Sequence, residues 1–216
     1  MSDRNEFTIR AFDPDRDQEA AYRCLVSSFH HNSWPLIDHA EPRFMKDSML
    51  TTARMSQFVF VAEKNGEARG LLAGFFPREG MTGVKAIALE VGFALKVLLR
   101  RYDMTAFARA TYWRQLLGEI SFHVRSPRTP AEVILLGSQE GYRGGIGRAL
   151  MDAWVAEVRA RGYLKTTVCT DSTVSWEFYE RYGFRRVREF PIKMFFHSLP
   201  GVDAFGYIYS LDLQVA

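Results

Sequence analysis

Ala131-Glu132-Val133-Ile134-Leu135-Leu136-Gly137, followed almost at once by Gly141-Tyr142-Arg143-Gly144-Gly145-Ile146-Gly147, is the stretch on which the fold turns. The first run is nearly continuous in apolar residues, the pattern of a central strand covered on both faces. The second is a glycine-rich turn. Ile146, Leu150, Ala153, Trp154 and Val158 then recur along one helical face, and Gly162 ends the helix. Lys165 to Thr170 reads as the next strand. The unit is therefore strand, glycine turn, helix, strand.

Gly144, Gly145 and Gly147 let the backbone turn sharply and approach a ligand closely. The turn opens a helix, so unpaired N–H groups and the positive end of the helix dipole meet at one spot. That is an anion site suited to phosphate, with Arg143 and Arg148 adding charge on either side. A dinucleotide fingerprint needs a third glycine, but Arg148, Ala149 and Leu150 follow Gly145-x-Gly147. Gly147-Arg148-Ala149 does not supply the GK[ST] of a P-loop either. From the glycines alone, a plain strand-to-helix connection stays open beside the phosphate site.

Upstream, Phe7 to Phe12 alternates as an opening strand, and Asp13-Pro14-Asp15 starts a helix running to His31. A second helix is expected over Pro42–Met55. Gln57–Glu63 and Ala68–Phe76 form two strands around Asn65-Gly66, a hairpin turn. Gly83 to about Leu117 is helix-rich, with Val84, Ile87, Val91, Ala94, Leu95 and Leu98 at helical spacing. Tyr102–Thr105 separates its two helices, and Ser126–Pro130 closes the segment as a loop. We read 83–130 as a helical insertion. Downstream, Asp171 or Ser172 caps a short helix through Tyr182, and Phe184–Phe190 and Phe205–Leu213 close the chain as strands.

Composition narrows the class. The chain has 216 residues, 47% hydrophobic and 25% charged, which argues against disorder and collagen-like repeats and fits a single domain over 1–216. Lys plus Arg is 28 and Asp plus Glu is 25, and a net +3 does not by itself predict nucleic-acid binding. The 14% aromatic content points to a large core or an apolar pocket. Cys24 and Cys169 are far apart and outside any CxxC pair, and the five histidines show no HxxxH or HExxH spacing. No disulfide scaffold and no metal are expected. The apolar stretch Ala86–Leu99 is broken by Glu90 and Lys96 and falls short of a membrane span, and no signal peptide is evident. The expected location is cytoplasmic.

Two motifs then carry a family resemblance. The turn followed by Arg148-Ala149-Leu150-Met151 resembles the pyrophosphate loop of the Gcn5-related N-acetyltransferases (GNAT), Q/R-x-x-G-x-G/A. Gly145 and Gly147 fill its small positions, while Tyr142 falls on the Gln/Arg position. Ser172 to Phe184 is similar to the family's N-x-x-A-x-x-F-Y-x-x-x-G-F. Phe178-Tyr179 and Gly183-Phe184 match directly. Ser172 replaces the Asn and Ser175 the Ala.

The resemblance implies an α/β fold with a mixed, mostly antiparallel sheet flanked by helices, the insertion at about 83–130 lying before the central strand. It implies acetyl-coenzyme A as acyl donor, lying where the central strand splits from its neighbour at a bulge. The backbone of Leu135, Leu136 and Gly137 would hold the pantetheine arm and thioester. Tyr142, Arg143, Gly144, Gly145, Ile146, Gly147 and Arg148 would hold the pyrophosphate, and Ser172 and Ser175 stand in the positions that flank the arm. Tyr179 would be the general acid. Glu132 is the expected base, with His123 a weaker candidate; His30 and His31 end a helix near the cleft. Phe29, Trp34, Phe44, Phe195 and Phe196 would wall the acceptor pocket.

The expected activity is acetyl transfer to a primary amine of a small molecule. A longer acyl-CoA, a carrier-bound acyl group or an aminoacyl-tRNA is the alternative donor, and a non-catalytic acyl-CoA-binding module the alternative role. The segment 83–130 would serve as a lid, as a homodimer interface or, least favoured, as a membrane-surface helix. Its aromatic residues Phe107, Tyr112 and Trp113 are expected to pack internally.

Overall fold

The computed structural model describes residues 7–29, 39–56, 58–77, 83–125, 131–141, 145–192 and 205–213. In chain order the elements are β1 (Thr8–Ala11), α1 (Pro14–Phe29), α2 (Pro42–Met55), β2 (Phe58–Lys64) and β3 (Glu67–Phe75). Then come α3 (Gly83–Leu98), α4 (Ala106–Arg125), β4 (Glu132–Ser138), α5 (Ile146–Ala160) and β5 (Lys165–Asp171). α6 (Glu177–Tyr182), β6 (Arg185–Pro191) and β7 (Phe205–Asp212) complete the chain. One seven-stranded sheet has the order β1-β2-β3-β4-β5-β7-β6. Every neighbouring pair is antiparallel except β4 and β5.

Two cores sandwich the sheet. On one side α5 buries Ile146, Leu150, Trp154 and Val158 against Leu72, Val133 and Val168. On the other, α1 and α2 bury Ala21, Leu25, Phe44 and Met49 against Val61 and Leu71. The alternation along β2 and β3 assigns neighbours to opposite cores: Val61 and Leu71 to one, Ala62 and Leu72 to the other. The hairpin between these strands turns through Asn65 (φ 55) and Gly66 (φ 80), the paired positive values of a type I′ turn.

α3 and α4 lie between β3 and β4, two adjacent antiparallel strands that a short turn could join. They extend the second core. Phe44 meets Phe93 of α3 at 5.4 Å and Tyr112 of α4 at 5.8 Å, with Tyr102 at 5.5 Å. Phe44 is thus a core residue rather than an acceptor wall. The apolar series expected on α3 shares one face, as its spacing places it, and that face is the exposed one. Phe93 and Val97 are buried, whereas Ile87, Val91, Leu95 and Leu98 are exposed. On α4, Tyr112 is buried as expected and Phe107 is exposed.

The start of α1 is tied to the sheet by Asp17, which accepts from the Arg10 guanidinium and from the Asp13 amide. Burial pushes the Asp17 carboxyl up, but these donors outweigh it and hold the pKa below the ordinary value. The unfolded chain therefore takes up this proton at a higher pH than the folded one. The stabilisation is present above about pH 4 and is lost as pH falls below it. Asp17→Asn is expected to cost about 2 kcal/mol at neutral pH. Urea titrations across pH should show a shallower acid decline for the variant than for the wild type.

Candidate active site

β4 is an irregular strand, and its irregularity builds the site. Ala73 pairs with Leu135 and Gly74 with Val133, so Ile134 is an extra residue with no partner on β3. This bulge reverses the facing of the residues beyond it. Val133 packs in the α5 core, whereas Leu135, two residues on, packs in the opposite core and Leu136 returns to the first. Ile134 itself is exposed.

At the same place β4 leaves β5. Their pairing is limited to Glu132 with Thr167 and Val133 with Val168. β5 continues beside β7 as far as Asp171, while β4 continues beside β3 as far as Ser138. A V therefore opens between the two strands. Its base is clasped by Trp154 of α5, whose indole N–H donates to Thr166 Oγ1 at 2.9 Å.

The open edge of β4 is defined amide by amide. The Gln139 N–H donates to the Arg69 carbonyl on β3 at 2.8 Å, and the Ser138 N–H donates to Ser28 Oγ of α1 at 2.8 Å. Peptide groups alternate sides along a strand. Leu135 and Gly137 therefore direct theirs to β3, and Leu136 directs its N–H and C=O into the V. Of the three residues expected to hold a pantetheine arm, Leu136 alone faces the opening with its peptide groups.

Ser28 ends this free edge. Its hydroxyl also donates to the Ser138 carbonyl at 3.1 Å, and Ser27 Oγ accepts from the Glu140 amide at 2.6 Å. A Cβ at position 137 would lie 2.7 Å from Ser28 Oγ, so the glycine permits this close approach. Ser28→Ala is expected to cost about 1–2 kcal/mol, because the Ser138 amide loses its partner. Equilibrium unfolding measures that loss. Helical spacing puts Ser28 on the apolar face of its helix and gives no sign of a partner 110 residues away.

Beyond Ser138 the chain enters the glycine turn. Tyr142, Arg143 and Gly144 lie outside the described residues. Gly145 is left-handed at φ 96 and forms the N-cap of α5, with no side chain capping the amides after it. Ile146, Gly147 and Arg148 thus present first-turn N–H groups without helical partners. Ile146 is fully buried, and a Cβ at position 147 would lie 3.4 Å from the Phe178 ring. Arg148 is exposed, 3.9 Å from Asp152.

Past β5, Ser172 Oγ accepts from the Phe205 amide at 3.0 Å, fixing the end of β5 to β7. Ser175 is exposed, and its carbonyl accepts from the Phe178 amide. Neither Asp171 nor Ser172 caps α6. The N-cap is Trp176, and Asp171 instead accepts from the Thr173 amide and hydroxyl. Burial pushes the Asp171 carboxyl up, with those two bonds pulling it back. Asp171 is thus a partly buried carboxyl on the β5 side of the V, where its sequence position suggests only a cap. The Asp-x-Thr spacing is the signal that marks it.

Tyr179 lies on α6, ringed by Phe178 at 5.4 Å, Phe184 at 5.8 Å and Tyr209 at 6.1 Å. Burial raises its hydroxyl pKa above that of an ordinary tyrosine. Among the described residues the hydroxyl has no hydrogen-bond partner, so its proton is uncommitted. Glu132 sits at the base of the V, paired with Phe75 on one side and Thr167 on the other. His30, His31, Trp34, Phe195 and Phe196, and the side chains of Phe29 and His123, lie outside the described residues. A separate apolar hollow of about 10 Å³ lies among Phe12, Met49, Val59 and Leu135 on the α2 side, too small for a substrate.

The site thus joins a sheet split by a bulged strand to a helix N-terminus without a side-chain cap beyond the split strand's end. Residues 108–193, which contain the bulged strand, the glycine turn, α5, β5 and α6, match the family described as acetyltransferase (GNAT) domain. The chain thus carries a match to the acetyltransferase (GNAT) domain over that part of its length, the part that builds the split sheet. No curated protein matches the chain.

Solved structures share the fold at low identity. Ard1 from Thermoplasma volcanium is 18% identical, with TM-score 0.57 over 97% of this chain and 99% of that one. YncA from Salmonella typhimurium, described as a putative acetyltransferase with its cofactor acetyl-CoA, is 16% identical, with TM-score 0.57 over 98% and 96%. The polyamine N-acetyltransferase of Drosophila melanogaster is 16% identical, with TM-score 0.55 over 96% and 100%.

Proposed function

We propose that this chain moves an acetyl group from acetyl-coenzyme A to the primary amine of a small molecule by direct attack. The observation that carries the reading is the V between β4 and β5, with the Leu136 peptide turned into it and the α5 N-terminus beyond its open end. The Leu136 N–H and C=O pair with the pantetheine amides. The first-turn amides of α5, with Gly145 at their head, receive the pyrophosphate. By their place in the motif alone, Tyr142, Arg143 and Gly144 are assigned to the same pyrophosphate loop, and Ser172 and Ser175 to the arm.

In the chemical step the amine nitrogen bonds to the thioester carbon and the carbon–sulfur bond breaks, its electron pair staying on sulfur. Tyr179 gives its proton to that sulfur. Its raised pKa means that the hydroxyl still holds its proton at neutral pH. Glu132 takes the proton lost by the amine. The products are an amide and free coenzyme A thiol, and the proton count closes when Tyr179 regains the proton held at Glu132.

Thiol release from acetyl-coenzyme A across a panel of primary amines tests the reading. At least one amine is expected to release thiol and acetylated product in equal amounts. Binding of the donor with no release for any amine would remove the transferase reading and leave a binding module.

A further inference from the structure

Ten large apolar side chains are exposed among the described residues, and they are not scattered. Five stand on α3 and the turn after it, Ile87, Val91, Leu95, Leu98 and Leu99, and two on α4, Phe107 and Leu117. Such a concentration marks a surface that is covered in use. At 3.6 residues per turn, the α3 residues, with Ala88 and Gly92, span an arc of about 140° opposite the buried Phe93 and Val97. Nothing lies within 4 Å of a Cβ placed on Gly92, so the arc is open at that edge.

The charges around this arc have one sign. Lys85 and Lys96 line one edge, Arg100 and Arg101 follow at its end, and Arg114 stands on the outer face of α4; all five are exposed. Asp103 is the one exposed carboxylate among the described residues of 83–117. Glu90 is half-buried. Lys96 lies 3.4 Å from Asp47, and the other four have no such bridge among the described residues. A second copy of the chain would set cations against cations with almost no carboxylate to pair them. No helix among the described residues is long and apolar enough to cross a membrane.

We propose that the outer face of α3, with the adjoining face of α4, lies on an anionic lipid bilayer surface. The apolar arc enters the headgroup boundary, and the basic rim pairs with acidic headgroups. The helices remain anchored from behind by Phe93, Val97 and Tyr112 in the protein core. This surface would hold the enzyme at a membrane.

Co-sedimentation of the full chain with phosphatidylcholine vesicles, with and without phosphatidylglycerol, tests this. Partitioning is expected to be about tenfold stronger on the anionic vesicles and to weaken with added salt. The double variant Val91→Glu with Leu95→Glu should lose about tenfold on the anionic vesicles. Lys85→Glu with Arg101→Glu should lose about as much there and almost nothing on the neutral ones. All four sites are exposed, so unchanged circular dichroism is the expected control. No partitioning onto either vesicle, or equal partitioning by wild type and both variants, would overturn the proposal. So would self-association of the wild type that Val91→Glu with Leu95→Glu abolishes, which would assign the face to a second copy.

Discussion

Tyr179→Phe is expected to lower turnover about a hundredfold or more, the usual scale for loss of a positioned general acid, while leaving affinity for coenzyme A within about twofold. The substitution removes one oxygen and keeps the ring that packs against Phe178, Phe184 and Tyr209. No protein hydrogen bond is lost with it among the described residues, so a structural effect should be small. Steady-state kinetics should show the fall in kcat rather than in KM, and titration with coenzyme A should show retained binding. A variant with unchanged turnover would make Tyr179 a packing residue and shift the proton source elsewhere.

Gly74→Ala is expected to be the most damaging single methyl in the sheet. A Cβ there would lie 2.2 Å from the Trp154 ring, which is fully buried and also packed against Phe76 at 4.8 Å. The N–H of this buried ring is held by Thr166. The cost should reach about 3 kcal/mol, or roughly 6–12 °C in Tm. The same clash displaces the clasp at the base of the V, so coenzyme A affinity should fall with stability. Thermal unfolding with parallel binding measurements reads both. An unchanged Tm would mean that the Trp154 ring has room to yield between β3 and α5.

Much of this architecture is legible in the chain because local signals and burial agree. The Pro42–Met55 helix, the Asn65-Gly66 turn and the α5 face from Ile146 to Val158 all lie where spacing places them. The order from central strand to α6 is legible for the same reason. Three features are not. The bulge, implied only by the family resemblance, cannot be placed at Ile134 from a run that is apolar on both faces, where alternation carries no information about register. The pairing of Ser28 with Ser138 joins residues remote in sequence, and a serine near the end of a helix announces no such partner. On α3, apolar spacing identifies a helix but does not say which of its apolar faces is buried. Two apolar stripes share that helix, and packing against Phe44 selects Phe93 and Val97 for burial.

The candidate site divides in the same way. Tyr179, Gly145 and Glu132 stand out by motif and place, whereas the peptide that faces the V, Leu136, requires the alternation fixed by Gln139 and Ser138. Asp171 is visible as an acidic residue at a strand end, yet its burial depends on packing contributed by later strands.

Calorimetric titration of the full chain with acetyl-coenzyme A and, alongside it, free coenzyme A tests the central claim most directly. The V and the bare α5 N-terminus predict saturable micromolar binding of both ligands, since both share the pantetheine and pyrophosphate. No binding of either by the folded protein would contradict the account and separate the fold from this donor.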